Sequence, residues 1–192
     1  MKKISISLSI FLFVCISCSN TQKAKSMYEQ VPAIDECLMD VNIAKSAIDK
    51  LDEIIEIEPK WWKPYLTELI IYQNWNLQTA TREQDLSAST KVYEKWMKDN
   101  EMGISRNVAY ADLLADLKRD EESNRYLEAA WEEFDKFQKK EPKNEDEEND
   151  FLFGIVAGIK LGYITETNMP VFLTDYHLSP DYIDFLSSFL ED

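Results

Sequence analysis

The sequence predicts an all-α protein built from stacked antiparallel helical hairpins, of the kind seen in an α-solenoid or a helical bundle. Punctuation is sparse: 4 Gly and 6 Pro in 192 residues are few for a many-turned sheet protein. Alternating runs of β-branched residues are nearly absent beyond the first segment. Ile34, Cys37, Val41, Ala44, Ile48, Leu51 and Ile55 recur every three or four residues, laying one apolar stripe down a long helix.

The first segment stands apart from this pattern. Lys2 and Lys3 precede an apolar run from Ile4 to Ile16, too short to span a bilayer comfortably. Small Ser17 then precedes Cys18. With Cys15-Ile16-Ser17-Cys18 as a relaxed lipobox, residues 1–17 resemble a bacterial lipoprotein signal peptide. The resemblance implies cleavage before Cys18, diacylglycerol on its thiol and acylation of its new amine. Several acyl chains hold a soluble domain to a membrane where one would not. By that likeness the protein sits in the cell envelope outside the cytoplasm, at an outer membrane facing the periplasm rather than at the cell surface. An ordinary secretory signal or an uncleaved anchor remain the alternatives. With Cys18 lipidated, Cys37 is the last thiol of the mature chain, on an apolar stripe where cysteines are commonly inert. Were Cys18 free, a Cys18–Cys37 disulfide would join a polar tether to a core position, which is poor geometry.

Residues 18–30 read as the lipidated cysteine and its polar tether, and residues 31–192 as a single all-helical domain. Pro32 suits a first helical turn. A long helix then runs from about Ala33 to Ile57 with no Gly or Pro inside it. Glu58-Pro59 ends it, because Pro disfavours helical geometry in the residue before it. A second helix, Trp62 to Leu77, carries Tyr65, Leu69 and Tyr72 on one face. So short a break folds the two helices back on each other.

Gln78 to Gln84 reads as a loop, and Asp85 or Ser87 as the start of a third helix through Trp96, closed by Gly103 as a left-handed cap residue. Ser105 to Leu117 forms a fourth, with Lys118 and Arg119 at its negative end. Ser123 is placed to cap a fifth, through Tyr126, Leu127, Ala130, Trp131, Phe134 and Phe137. Residues 143–150, KNEDEEND, read as a solvated connector or, on their carboxylates, as a calcium loop without its central Gly. Phe151 to Tyr163 is apolar nearly all round, with Gly154, Gly158 and Gly162 every four residues. That row suits a buried packing helix. Thr165 to Leu178 looks extended, and Ser179-Pro180 opens a terminal helix through Tyr182, Phe185, Leu186 and Phe189.

An internal echo joins two of these helices. Ala47, Leu51, Ile54 and Glu58-Pro59-Lys60 align without gaps on Ala130, Phe134, Phe137 and Glu141-Pro142-Lys143. Small, large, large, then Pro at this spacing resembles the second helix of a tetratricopeptide repeat, in degenerate form. The resemblance implies that each Ala sits against a partner helix. It also makes Tyr65, Leu69 and Tyr72 apolar positions of the next repeat's first helix.

Charge and chemistry narrow the function. The chain has 36 Asp+Glu against 21 Lys+Arg, a formal charge of −15, which repels phosphate backbones and excludes nucleic acid as the expected partner. His177, beside Asp175 and Tyr176, is the lone histidine, and no nucleophile elbow, Cys-x-x-Cys or phosphate loop accompanies it. A catalytic role, a cofactor and a metal are therefore not expected. Trp61, Trp62, Tyr65, Tyr72 and Trp75 concentrate aromatic mass, either as core between hairpins or as a groove that stacks a sugar or peptide. The expectation is a non-catalytic, lipid-anchored envelope protein that binds a protein or peptide partner. A ligand-binding lipoprotein using the aromatic groove and an acidic immunity-type lipoprotein neutralising a basic toxin are the alternatives.

Overall fold

A computed structural model of the chain describes residues 20–75, 82–137, 145–169 and 186. The protein is all-α, and the described residues contain no strand. Among the described residues eight helical segments of six residues or more follow one another: α1 (20–28), α2 (Ile34–Met39), α3 (Val41–Ile57), α4 (Trp62–Trp75), α5 (Arg82–Met97), α6 (Gly103–Asp116), α7 (Asp120–Phe137) and α8 (Glu145–Lys160). They fall into two compact units divided between Asn100 and Glu101.

In the first unit the expected long helix from Ala33 is broken at Asp40. Asp40 is extended (φ −138°, ψ 117°), and its carboxylate accepts from the backbone N–H of Asn42 at 2.7 Å and of Ile43 at 3.4 Å. The side chain thereby caps α3 instead of continuing α2, the competition that makes Asp poor inside helices. The apolar stripe survives the break: its Cys37, Ala44, Ile48 and Leu51 are all buried in one cluster with Ala47 and with Ile71 of α4. Pro32 lies just before α2, whose N-cap is Ala33.

Residues 20–28, expected to be tether, are helical and docked. Ala24 is fully buried. The Tyr28 hydroxyl is hydrogen-bonded to Thr67 Oγ1 at 2.7 Å, and Lys50 Nζ donates to the Gln30 carbonyl at 3.1 Å. Helix α4 packs against both α2 and α3, and α5 packs against α4. Asn100, just past α5, donates to the Pro59 carbonyl beside the start of α4 at 2.9 Å, so α4 and α5 are antiparallel.

The second unit repeats the scheme with α6, α7 and α8, the last packed against both of the others. A tight turn joins α6 to α7. Lys118 N–H donates to Ala115 and Arg119 N–H to Leu114, a Schellman arrangement that puts Lys118 in the left-handed region at φ 59°. Helix α7 begins one turn before Ser123, so Ser123 is no cap. Its hydroxyl is buried and donates instead to the Ala111 carbonyl of α6 at 2.7 Å, tying the two helices together. Gly103 has the expected positive φ of 70°, but it opens α6 and does not close α5.

Helices α7 and α8 are antiparallel neighbours because two glycines admit aromatic rings. A Cβ on Gly154 would lie 2.2 Å from Phe134 Cδ2, and one on Gly158 2.5 Å from Trp131 Cζ3. Phe134, Phe151, Ile155 and Ala130 are fully buried around this contact, with Leu186 in the same cluster. The acidic run is helical from Glu145 onward, and Asp150 accepts from the Ser105 N–H near the start of α6 at 3.1 Å. Residues 165–169 form a turn, with Asn168 and Met169 N–H donating to the Thr165 carbonyl; the rest of the stretch expected to be extended, His177 included, lies outside the described residues. So does the terminal helix apart from Leu186.

Candidate functional site

Among the described residues, aromatic and ionised side chains gather where α3, α4 and α5 meet. Trp62 sits at the centre of the rings. It stacks on Tyr65 with centroids 5.9 Å apart and planes 12° from parallel, and meets Trp96 edge-on at 4.9 Å. Tyr65 in turn meets Trp96 at 5.1 Å and 87°, and Tyr93 lies 5.9 Å from Trp62. These are the offset and edge-to-face geometries that aromatic pairs favour. Tyr65 is buried and its hydroxyl donates to the Pro59 carbonyl at 3.1 Å. Burial first, then Asp99 and Glu68, pushes that phenol up to about 12. Trp61 belongs to a second contact, with Tyr28 of α1 at 5.1 Å.

Beside the rings lies a charged triad that the sequence reading did not single out. Lys95 of α5 forms salt bridges to Asp52 of α3 and to Glu68 of α4. Its Nζ lies 3.2 and 3.4 Å from the two Glu68 oxygens. The Asp52 side chain is 48% exposed and that of Glu68 1%. Burial drives the Glu68 carboxyl up to about 7; Lys95 opposes this and Asp52 reinforces it. Burial alone would lower Lys95, but the Asp52 hydrogen bond and the two carboxylates outweigh it and hold the ammonium above its ordinary value. The two shifts are consistent because Lys95 engages Asp52 more closely than Glu68. One cation shared by two carboxylates leaves the inner acid undercompensated, so desolvation decides its proton affinity. Tyr72 is pushed up to about 12 by burial and then by Glu68, Asp52 and Asp49.

Of the aromatic residues singled out in the sequence, Trp62 and Tyr65 are brought together, Trp61 is half-buried against Tyr28, and Tyr72 is half-buried beside the core of α2 and α3. Trp75 ends α4, and its side chain lies outside the described set, as do Cys18 and His177. Cys37 is the buried, free thiol expected, and burial raises its pKa. Among the described residues no group of three His, Cys, Asp or Glu is arranged to hold a metal ion. No helix among them is long and apolar enough to cross a membrane. Glu68 had a legible signal: it falls on the Tyr65–Leu69–Tyr72 face of α4, where a carboxylate has no water to meet.

Compared with known protein families, curated proteins and solved structures, the chain matches none of them.

Proposed function

We propose that the chain is a lipid-anchored envelope protein, acylated at Cys18, whose degenerate tetratricopeptide-like helices bind a protein or peptide partner without catalysis. The observation that supports this reading most is how the aromatic and charged groups are spent. Trp62, Tyr65, Tyr93 and Trp96 cover one another's faces and edges, and Glu68 is committed to Lys95. Rings engaged in this way fill a core between helices and leave a stacking groove with less support. The repeat likeness gains support from packing. Ala47 and Ala130 are both fully buried, as are Leu51 and Phe134. Each Ala-bearing helix precedes one that packs on the two helices before it, α4 on α2 and α3, and α8 on α6 and α7.

A second reading, an acidic protein that neutralises a basic one, draws on exposed carboxylates along α2 and α3. Asp35, Glu36, Asp49, Glu53 and Glu56 all face solvent. The test of both is affinity capture after cross-linking in intact envelopes, with Cys18→Ala as control. A protein partner that is lost when Cys18 is replaced supports the first reading. A strongly basic partner retained by the soluble Cys18→Ala form moves the weight to the second. No protein partner in either form overturns both.

A further inference from the structure

Four helix ends meet at one end of the first unit, the start of the described part of α1 among them. Thr21, near the start of the described part of α1, donates its hydroxyl to Glu58 Oε2 at 2.6 Å, and Glu58 is the C-cap of α3. Pro59, in the turn from α3 to α4, receives Tyr65 from α4 at 3.1 Å and Asn100 from beyond α5 at 2.9 Å. The beginnings of α1 and α4 and the ends of α3 and α5 therefore share one face. Lys23, Lys60, Lys63 and Lys98 are exposed on these termini, with Trp61 half-buried among them. Glu56, Glu58 and Asp99 are the carboxylates there. In a chain of formal charge −15, four lysines stand against three carboxylates at this end.

We infer that this end of the first unit, centred on the Glu58–Trp61 turn, rests against the headgroup layer of the membrane. The inference depends on the chain being anchored at or just ahead of Cys18, whether by acyl chains or by an uncleaved apolar segment. Thr21 is three positions on from Cys18, a reach of at most about 11 Å for extended chain. The polar layer on each side of a bilayer is itself on the order of 5–8 Å thick. Because α1 is docked and not a loose tether, the fold cannot swing far from its anchor. Trp61 suits the membrane–water boundary, where indoles concentrate. The lysines reach lipid phosphates with ammonium heads on flexible stems. The anchor holds the protein; these side chains set which end faces the lipid.

The other end of α3 supplies the contrast. Asn42 is exposed and stands at the far end of the helix, roughly 25 Å away along an axis rising about 1.5 Å per residue. The experiment uses the full chain, processed in cells and reconstituted into phosphatidylethanolamine–phosphatidylglycerol vesicles. Lys60→Cys and Asn42→Cys carry an environment-sensitive fluorophore; Cys37 is 1% exposed and stays unlabelled in the folded protein, and any label on Cys15 or Cys18 of an uncleaved chain is measured in the unsubstituted protein and subtracted. Headgroup-spin-labelled lipid is the quencher. The expected result is quenching at position 60 several-fold stronger than at position 42. Equal quenching, or stronger quenching at 42, with protein that sediments with the vesicles, overturns the orientation and leaves the anchoring intact. Protein that does not sediment overturns the anchoring reading and the orientation with it.

Discussion

Replacing Gly154 by Ala tests the packing of the second unit most sharply. The added methyl would lie 2.2, 2.4 and 2.8 Å from Cδ2, Cγ and Cβ of Phe134, against an ordinary carbon–carbon contact of about 3.5–4.0 Å. A ring can rotate, but Phe134 Cβ is fixed to the backbone of α7. Relief therefore requires α7 and α8 to separate by on the order of 1 Å, loosening many of the favourable contacts along the seam. Phe134 has little room to yield, being fully buried with Phe151 at 5.3 Å and Trp131 at 5.4 Å. We expect a loss of about 3 kcal/mol, the upper part of the range for overpacked cores. For a domain of this size that is a fall in Tm of roughly 10–20 °C. Urea and thermal unfolding followed by far-ultraviolet circular dichroism give the value. A double-mutant cycle with Phe134→Ala separates this cause from others: the combined variant should be less destabilised than the sum by at least about 1 kcal/mol. A Gly154→Ala protein within about 0.5 kcal/mol of the parent, or strict additivity, would refute the reasoning.

Three further expectations follow from the same structure. Glu68 has a folded pKa of about 7, raised from its ordinary 4.5. It therefore binds its proton more tightly folded than unfolded, and contributes on the order of 3 kcal/mol that is full below about pH 4.5 and lost as pH rises through 7. Glu68→Gln should flatten that dependence in urea titrations at pH 5 and pH 8 and leave the variant the more stable at pH 8; a parallel pH slope in both proteins counts against the buried acid. Lys95→Met should cost about 3 kcal/mol at pH 8, where Glu68 would otherwise be charged, and clearly less at pH 5; equal losses at the two pH values contradict the triad. Lys118 holds φ 59° without being Gly, so Lys118→Gly should stabilise the second unit by about 0.5–1 kcal/mol. A thermal shift downward in that variant would show that the Lys118 side chain makes a compensating contact.

What the sequence revealed and concealed has a physical pattern. Periodic burial was legible. The all-α class follows from residue type and spacing, as does the burial of Ala44, Ile48, Leu51 and Ile55 on the stripe and of Gly154 and Gly158 against aromatic rings, whereas Gly162, third in the row, is exposed beyond α8 at φ 73°. Local polar competition was not. Asp40 lies within an unbroken apolar period, so nothing in the period announces that its carboxylate will take two backbone donors. Ser123 offers the same hydroxyl to a cap or to a neighbouring carbonyl, and only the proximity of Ala111 decides. The triad was hidden by abundance. Glu68 was legible by itself on its apolar face, but among 36 acidic residues nothing in the sequence pairs it with Lys95 of α5 and Asp52 of α3. The helical state of residues 20–28 was concealed because a polar stretch with one small buried residue, Ala24, reads as tether.

The central claim, an envelope protein held by lipid on Cys18, is tested most directly by mass spectrometry of the mature amino-terminal peptide from protein purified out of its own membranes. The expected peptide begins at Cys18 and carries diacylglycerol with an acylated amine. A peptide beginning at another residue, or at Cys18 with an unmodified thiol, would contradict the claim.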